Sequence, residues 1–319
     1  MSSPDGVRRL RIVAPAKVNL GLRVTGVRAD GTHELDSVFA PLDFGDEVAI
    51  EVAPAAEASV ELALEAETPL AVDVPAGRSN LAARAAELFL ERAGLACAVR
   101  IQLTKRIPAA AGLGGGSSDA GAVVRALAEC FPEALAPPAV AKLALGLGAD
   151  VPFFLEPRPA LVGGIGERIE PLSPLPALAL LLVNPGIALA TADVYRAYDA
   201  LAAGRSDPAS ATIGARLESL LRGHIVGPRR RGPWDPAFAR ALGDLLANDL
   251  EAAAVRLCPP VARLRARLRA AGARVVGLSG SGPTLFGVFE DPAAAAEGSA
   301  RAGFEAPVLA RVATTRESR

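Results

Sequence analysis

The sequence predicts a mixed α/β protein built as two domains, and three observations carry that prediction. The chain has 319 residues, 51% hydrophobic and 22% charged, which is long and apolar enough to bury two ordinary cores without covalent staples. Strand-like and helix-like patterns alternate through its first half. A Pro/Gly-rich stretch at Pro157–Gly166 suits a junction, which places one domain over residues 1–160 and a second over 161–319.

The elements are read in order along the chain. Residues 8–25 alternate apolar and β-branched positions as a strand interrupted at Pro15, and Asp30-Gly31 marks a turn. Ser37–Leu42, Asp46–Val52 and Ala58–Ala66 read as further strands. Ser79-Asn80 offers an N-cap to a helix over Leu81–Ala93, with Leu81, Ala85, Leu88 and Phe89 on one face and Gly94 closing it. Ala98–Thr104 alternates as a strand, Ser118–Cys130 and Pro138–Leu147 read as helices, and Ala177–Val183 is a buried-type strand. Helices follow over Ala192–Leu201 and Val261–Ala271. Strands over Arg274–Leu278 and Thr284–Phe289 then flank a Gly/Ser turn at Ser279–Pro283. Residues 203–236 are the least regular part, and Arg229-Arg230-Arg231 reads as a solvated loop.

Composition excludes several classes of function. A net charge of −1 gives no global field to recruit nucleic acid or an anionic membrane. Three scattered cysteines, Cys97, Cys130 and Cys258, form no zinc or disulfide pattern. The longest apolar run, Ala177–Val183, is far short of a membrane span, and the first residues lack an apolar stretch of signal-peptide length. A cytoplasmic protein is expected. Of 34 basic residues only Lys17, Lys105 and Lys142 are lysines. A lysine retained against that arginine bias suits a position that needs a compact point charge.

Four segments carry chemistry. Pro108, Ala109, Ala110, Ala111, Gly112, Leu113, Gly114, Gly115, Gly116, Ser117 and Ser118 lie between a strand and a helix. The glycines remove Cβ atoms and permit positive φ, so successive N–H groups can line an anion nest completed by the helix dipole. No Lys-Ser/Thr follows the last glycine, so this is not the common P-loop. Gly148-Ala149-Asp150-Val151-Pro152 sets an aspartate at a helix end, compatible with a positioned general base and equally with a turn aspartate. Lys17 and Asn19 stand two apart in an extended segment and share a face, which implies either a polar site or a solvent face. Leu278–Thr284 is a Gly/Ser turn suited to a hairpin or to close approach of a ligand.

Together these segments resemble the GHMP kinase family: PAAAGLGGGSS its phosphate loop, APAKVNLGL its N-terminal motif and LSGSGPTLFG its C-terminal one. The resemblance implies an α+β, two-domain GHMP kinase fold with the active site in the cleft, an ATP-binding N-terminal domain, and ATP with Mg²⁺ as cosubstrate and metal. It implies Asp150 as the base for the acceptor hydroxyl and Lys17 as the cation that keeps it ionised. The segments ADGTHELDSVFAPLDFGDEV and LGADVPFF imply a small-molecule acceptor carrying a cytidine diphosphate group, lined by Asn19, with His33 reading the base edge and Tyr195 stacking on the base. Thr32 stands where the family carries an aromatic residue. Other GHMP acceptors, of homoserine or mevalonate type, and a non-catalytic nucleotide-binding relative are the alternatives. Asp119, directly behind the loop, reads as an acidic residue in a helix's first turn in preference to a metal ligand, and the metal ligands are left unassigned. Oligomeric state is likewise open.

Overall fold

The computed structural model describes residues 6–67, 74, 77–172, 177–202, 213, 216, 220 and 236–316. The arginine run at 229–231 and Trp234 lie outside them. The chain forms two compact units, each discontinuous in sequence. The first comprises Met1–Ala16, Phe44–Ala109 and Gly114–Pro157, and the second Lys17–Asp43, Ala110–Leu113 and Arg158–Arg319.

In the first unit, β2 (His33–Pro54) lends its second half to a sheet in which it pairs antiparallel with β4 (Cys97–Lys105), from Glu47 opposite Thr104 to Pro54 opposite Cys97. On the other side of β4 runs β3 (Ser59–Ala66), parallel to it. Parallel neighbours need a crossover, supplied by α1 (Leu81–Ala93). Its ends follow the sequence prediction. The Asn80 side chain accepts from the Ala82 N–H, and Gly94 closes the helix at φ +62°.

One face of this sheet is buried beneath α1, α2 (Gly115–Cys130) and α3 (Pro137–Leu147), around Val48, Ile50, Phe89, Ile101, Leu103, Val123 and Leu127. The other face carries charge ladders, Arg9 and Arg100 on Glu51 and Arg11 on Glu47. That alternation is the mark of a sheet packed on one side only. The two strands read over Ser37–Leu42 and Asp46–Val52 are one strand. At the join, Gly45 runs so close to the backbone of Ala14 that any Cβ would collide with its carbonyl.

In the second unit, β7 (Ala179–Asn184) is fully buried at the centre of an antiparallel sheet ordered β10–β7–β9–β8, formed with β8 (Val275–Leu278), β9 (Leu285–Phe289) and β10 (Leu309–Thr314). Leu181, Val183, Leu264, Leu268, Leu278, Leu285 and Phe289 fill its core. The first half of β2 pairs antiparallel with β5 (Ala160–Gly164), which pairs with β6 (Arg168–Pro171), so the Pro/Gly-rich stretch contains strands as well as turns. Sequence periodicity also did not reveal the helices Pro236–Leu245, Glu251–Leu257 and Pro292–Ala302. They are short, and the last is alanine-rich with little apolar contrast between faces.

Candidate active site

The predicted phosphate loop is built from both ends. Ala110–Leu113 belongs to the second unit, and each of its four carbonyl oxygens is occupied. Leu189 N–H donates to Ala110 at 3.4 Å, Thr284 N–H to Ala111 at 3.4 Å, and Lys17 N–H to Leu113 at 3.0 Å. The Ser279 hydroxyl donates to the Gly112 carbonyl at 2.8 Å. Because trans peptides set C=O and the next N–H in opposite directions, these anchors turn the N–H groups of Ala111, Gly112 and Leu113 away from the groups that hold the carbonyls. Gly112 has φ +74°, and a Cβ there would fall inside the Ser279 carbonyl. Ala110, at φ +46°, is a non-glycine residue in the left-handed region, a conformation that costs on the order of 1 kcal/mol and clusters at functional sites.

Gly114 to Ser118 belong to the first unit. Helix α2 begins at Gly115, three residues before the predicted start, with Gly114 as an N-cap that has no side-chain cap bond. Its first-turn N–H groups have no intrahelical acceptor and carry the positive end of the dipole. Gly116 is exposed and Ser117 partly so, but Ser118 is sealed. Its hydroxyl donates to the Pro15 carbonyl at 2.7 Å, so it anchors the helix to β1 (Arg8–Val27). The earlier start also moves Asp119 out of the first turn. Asp119 pairs instead with Lys105, which also bridges Asp46, and all three are buried. Asp46 in turn accepts the backbone N–H groups of Arg106 at 2.5 Å and Ile107 at 2.8 Å, just ahead of the loop.

Asp150 sits on a turn fixed from both sides. Gly148 closes α3, and Val151, Phe153 and Phe154 are sunk in the core. Gly121 of α2 lets that turn approach, since a Cβ there would meet the Phe154 side chain at 2.5 Å. The base candidate and the start of α2 are therefore held by one packing contact within the first unit.

Lys17 and Asn19 are buried, which removes the solvent-face reading. Lys17 Nζ donates to Asn19 Oδ1 at 2.6 Å and lies 4.3 Å from the Phe39 ring centroid. Asn19 Nδ2 donates to Ser37 at 3.0 Å, and Ser37 donates to the Gly21 carbonyl at 2.7 Å. The Asn19 N–H reaches the Ser279 hydroxyl at 3.3 Å. The Gly/Ser turn at Ser279 is thus a hairpin and a clamp on the loop at once, held by Asn248, whose Nδ2 donates to the carbonyls of Leu278 and Gly280. Ser37 and Asn248 were not singled out from sequence; single serines and asparagines carry no periodic signal.

His33 opens β2 from a turn closed by Arg28 N–H to the Thr32 carbonyl at 2.8 Å and Thr32 N–H to Asp30 Oδ1 at 2.9 Å. Its ring stacks on Tyr195 of α4 (Thr191–Ala202), centroids 4.6 Å apart. Tyr198 meets it edge-on at 6.1 Å. The two residues expected to contact the base thus stack on each other, and Thr32 is exposed beside His33.

The second unit holds a glycine-containing loop with its carbonyls held back and a buried Lys17–Asn19 cluster, and the first unit holds the N-terminus of α2 and the Asp150 turn. The chain matches the GHMP kinases N terminal domain over residues 80–157 and the GHMP kinases C terminal domain over 236–306. It belongs to the GHMP kinase family and is a small-molecule kinase.

Within the family it is 44% identical over 290 residues to the 4-diphosphocytidyl-2-C-methyl-D-erythritol kinase of Anaeromyxobacter dehalogenans (strain 2CP-C), covering 90% of this chain and 83% of that protein. The crystal structure of a 4-(cytidine 5'-diphospho)-2C-methyl-D-erythritol kinase matches at TM-score 0.70 and 38% identity, covering 96% of this chain and 100% of the other. Homoserine kinase from Cytophaga hutchinsonii matches at TM-score 0.67 but 18% identity, over 99% and 96% of the two chains, a likeness of fold alone. Among the described residues no helix is long and apolar enough to cross a membrane.

Proposed function

We propose that this chain transfers the γ-phosphoryl group of ATP to the 2-hydroxyl of 4-diphosphocytidyl-2-C-methyl-D-erythritol, a step of the non-mevalonate route to isoprenoid precursors. The observation that carries the transfer chemistry is the anchoring of the four carbonyls of Ala110–Leu113, which leaves a polyphosphate facing N–H groups. Relatives at 38–44% identity support the acceptor, as does the His33–Tyr195 cluster, suited to an aromatic base.

In this reading Asp150 accepts the proton of the attacking hydroxyl, which contributes about 10²–10⁴ in rate. Lys17 supplies a compact positive charge, oriented by Asn19, and the loop and the α2 N-terminus stabilise the charge that develops on the transferred group. His33 reads the cytosine edge and Tyr195 offers its ring. Mg²⁺ would neutralise phosphate charge during transfer. No group of three His, Cys, Asp or Glu among the described residues is arranged to hold a metal. A kinase Mg²⁺ needs no such set, being held by nucleotide phosphates and water with one or two carboxylates. We further propose a cytoplasmic enzyme without nucleic-acid partners.

Thr32 favours a second reading, a GHMP kinase for another small alcohol. ADP release with ATP, Mg²⁺ and a panel of acceptors decides between them. Turnover of the cytidyl polyol is expected, and turnover only of a different alcohol would overturn the assignment. Asp150→Asn is expected to abolish turnover while ATP still binds; a wild-type kcat would remove Asp150 from the role of base.

A further inference from the structure

Asp199 is a residue that neither the motifs nor the proposed chemistry use. It lies on α4, one residue beyond Tyr198, and its Oδ1 is 2.7 Å from His33 Nε2 across 166 positions of sequence. The His33 side chain is only 10% exposed while that of Asp199 is 55% exposed, so the carboxylate caps the outer end of a ring packed between tyrosines. One face of His33 is covered by Tyr195 at 4.6 Å and its edge is met by Tyr198. A base therefore cannot lie between His33 and Tyr195 as the two rings stand, and what His33 offers a ligand is an edge.

The identity of that edge follows from Asp199. A carboxylate only accepts hydrogen bonds, so the hydrogen of the neutral imidazole resides on Nε2, and Nδ1 presents a lone pair. Left to itself, a neutral histidine can place its hydrogen on either nitrogen. A fixed lone pair pairs with the exocyclic amine of cytosine, which donates. It repels the O4 of uracil, which can only accept. Unmade polar contacts of this kind are what discriminate between otherwise similar ligands.

We propose that Asp199 is a positioning and specificity residue: by holding the Nε2–H tautomer of His33, it makes the site select a cytidine-bearing over a uridine-bearing diphosphate acceptor. The proposal rests on the reading of His33 as the base reader. It assigns Asp199 no contact with the acceptor; its effect passes through the histidine.

The test compares wild type, Asp199→Ala and Asp199→Asn on the cytidine-linked acceptor and its uridine-linked counterpart, at saturating ATP and Mg²⁺. In Asp199→Ala the KM for the cytidyl acceptor is expected to rise about tenfold, the equivalent of one hydrogen bond. The ratio of kcat/KM between the two acceptors should narrow by a similar factor, because the Nδ1–H tautomer becomes available and can donate to O4. The KM for ATP should hold. Asp199→Asn, which keeps an acceptor oxygen but can also donate to Nε2, should fall between. A merely structural role would lower thermal stability and kcat on both acceptors alike and leave the ratio intact, which would overturn the proposal. An active wild type with unchanged KM and ratio in Asp199→Ala overturns it while sparing the assigned reaction. A wild type that does not phosphorylate the cytidyl acceptor overturns both.

Discussion

Lys105 Nζ stands 2.6 Å from Asp119 Oδ2 in the interior of the first unit, with the lysine side chain 3% exposed and the aspartate 2%. A second carboxylate, Asp46, bonds the same ammonium, so two acids share one cation directly behind the phosphate loop. The ammonium also lies 3.4 Å from where a Cβ on Gly115 would be. The end of β4, the approach to the loop and the start of α2 are thus tied at one point.

Removing that cation should be severe. Lys105→Met keeps most of the volume but strands two buried acid groups without their ammonium donor, and breaking a buried pair in this way costs about 3–5 kcal/mol. Urea denaturation of the variant is expected to show that loss. Asp119→Asn should cost less than about 1.5 kcal/mol, since an amide oxygen can still accept from the ammonium. A Lys105→Met protein as stable as wild type would show that the pair holds nothing together.

The same cluster predicts a pH dependence. Burial pushes the Asp119 carboxyl up to about 8, with Lys105 opposing and the Asp46 charge adding to the rise, and Asp119 Oδ1 has no hydrogen-bond partner among the described residues. Burial works against the Lys105 ammonium, but the two carboxylates outweigh it and raise its pKa, so it stays charged. The native state therefore keeps a proton on Asp119 that the unfolded chain releases above about pH 4. Stability from this group is full below that point, declines as pH rises, and is lost through about pH 8. Urea midpoints for wild type should fall across this window, and Asp119→Asn should flatten the fall. An equal slope in the variant would place the titration elsewhere.

Gly112→Ala tests the loop anchor. The new methyl would overlap the Ser279 carbonyl at a position that already needs φ +74°, so either the hairpin turn or the loop must move. ATP affinity is expected to drop by tenfold or more, roughly the 1–3 kcal/mol of a strained backbone, with the two unit cores intact by circular dichroism. Gly116→Ala, where no atom lies within 4 Å of the added methyl, is the control and should change far less. Equal ATP binding by the Gly112 variant would mean that the anchored carbonyls do not shape the site.

The legible parts of this fold are those written over a few adjacent residues. The caps of α1 at Asn80 and Gly94 could be read because capping is chemistry between neighbours. The turn between β4 and α2 could be read because glycine readily adopts the positive φ it needs, +74° at Gly112 and +72° at Gly114. Lysine scarcity singled out Lys105, yet its partners Asp46 and Asp119, 59 and 14 residues away, have no local signature. With the helix starting at the serines, Asp119 reads as a first-turn residue; a glycine N-cap begins the helix about one turn earlier.

By itself the sequence determined the class of chemistry: a strand, a glycine-rich turn and a helix in that order, with a lysine and an aspartate retained in family motifs. Tertiary structure alone decided which polar groups meet. Ser279 reaches Gly112 across 167 residues and Asp199 reaches His33 across 166, and Lys17 and Asn19 proved buried instead of solvated. The reason is physical. Backbone conformation is set by sterics and hydrogen bonds within a few residues. Which polar groups pair is set by what burial forces together, since a polar group taken from water must find a partner wherever the chain brings one.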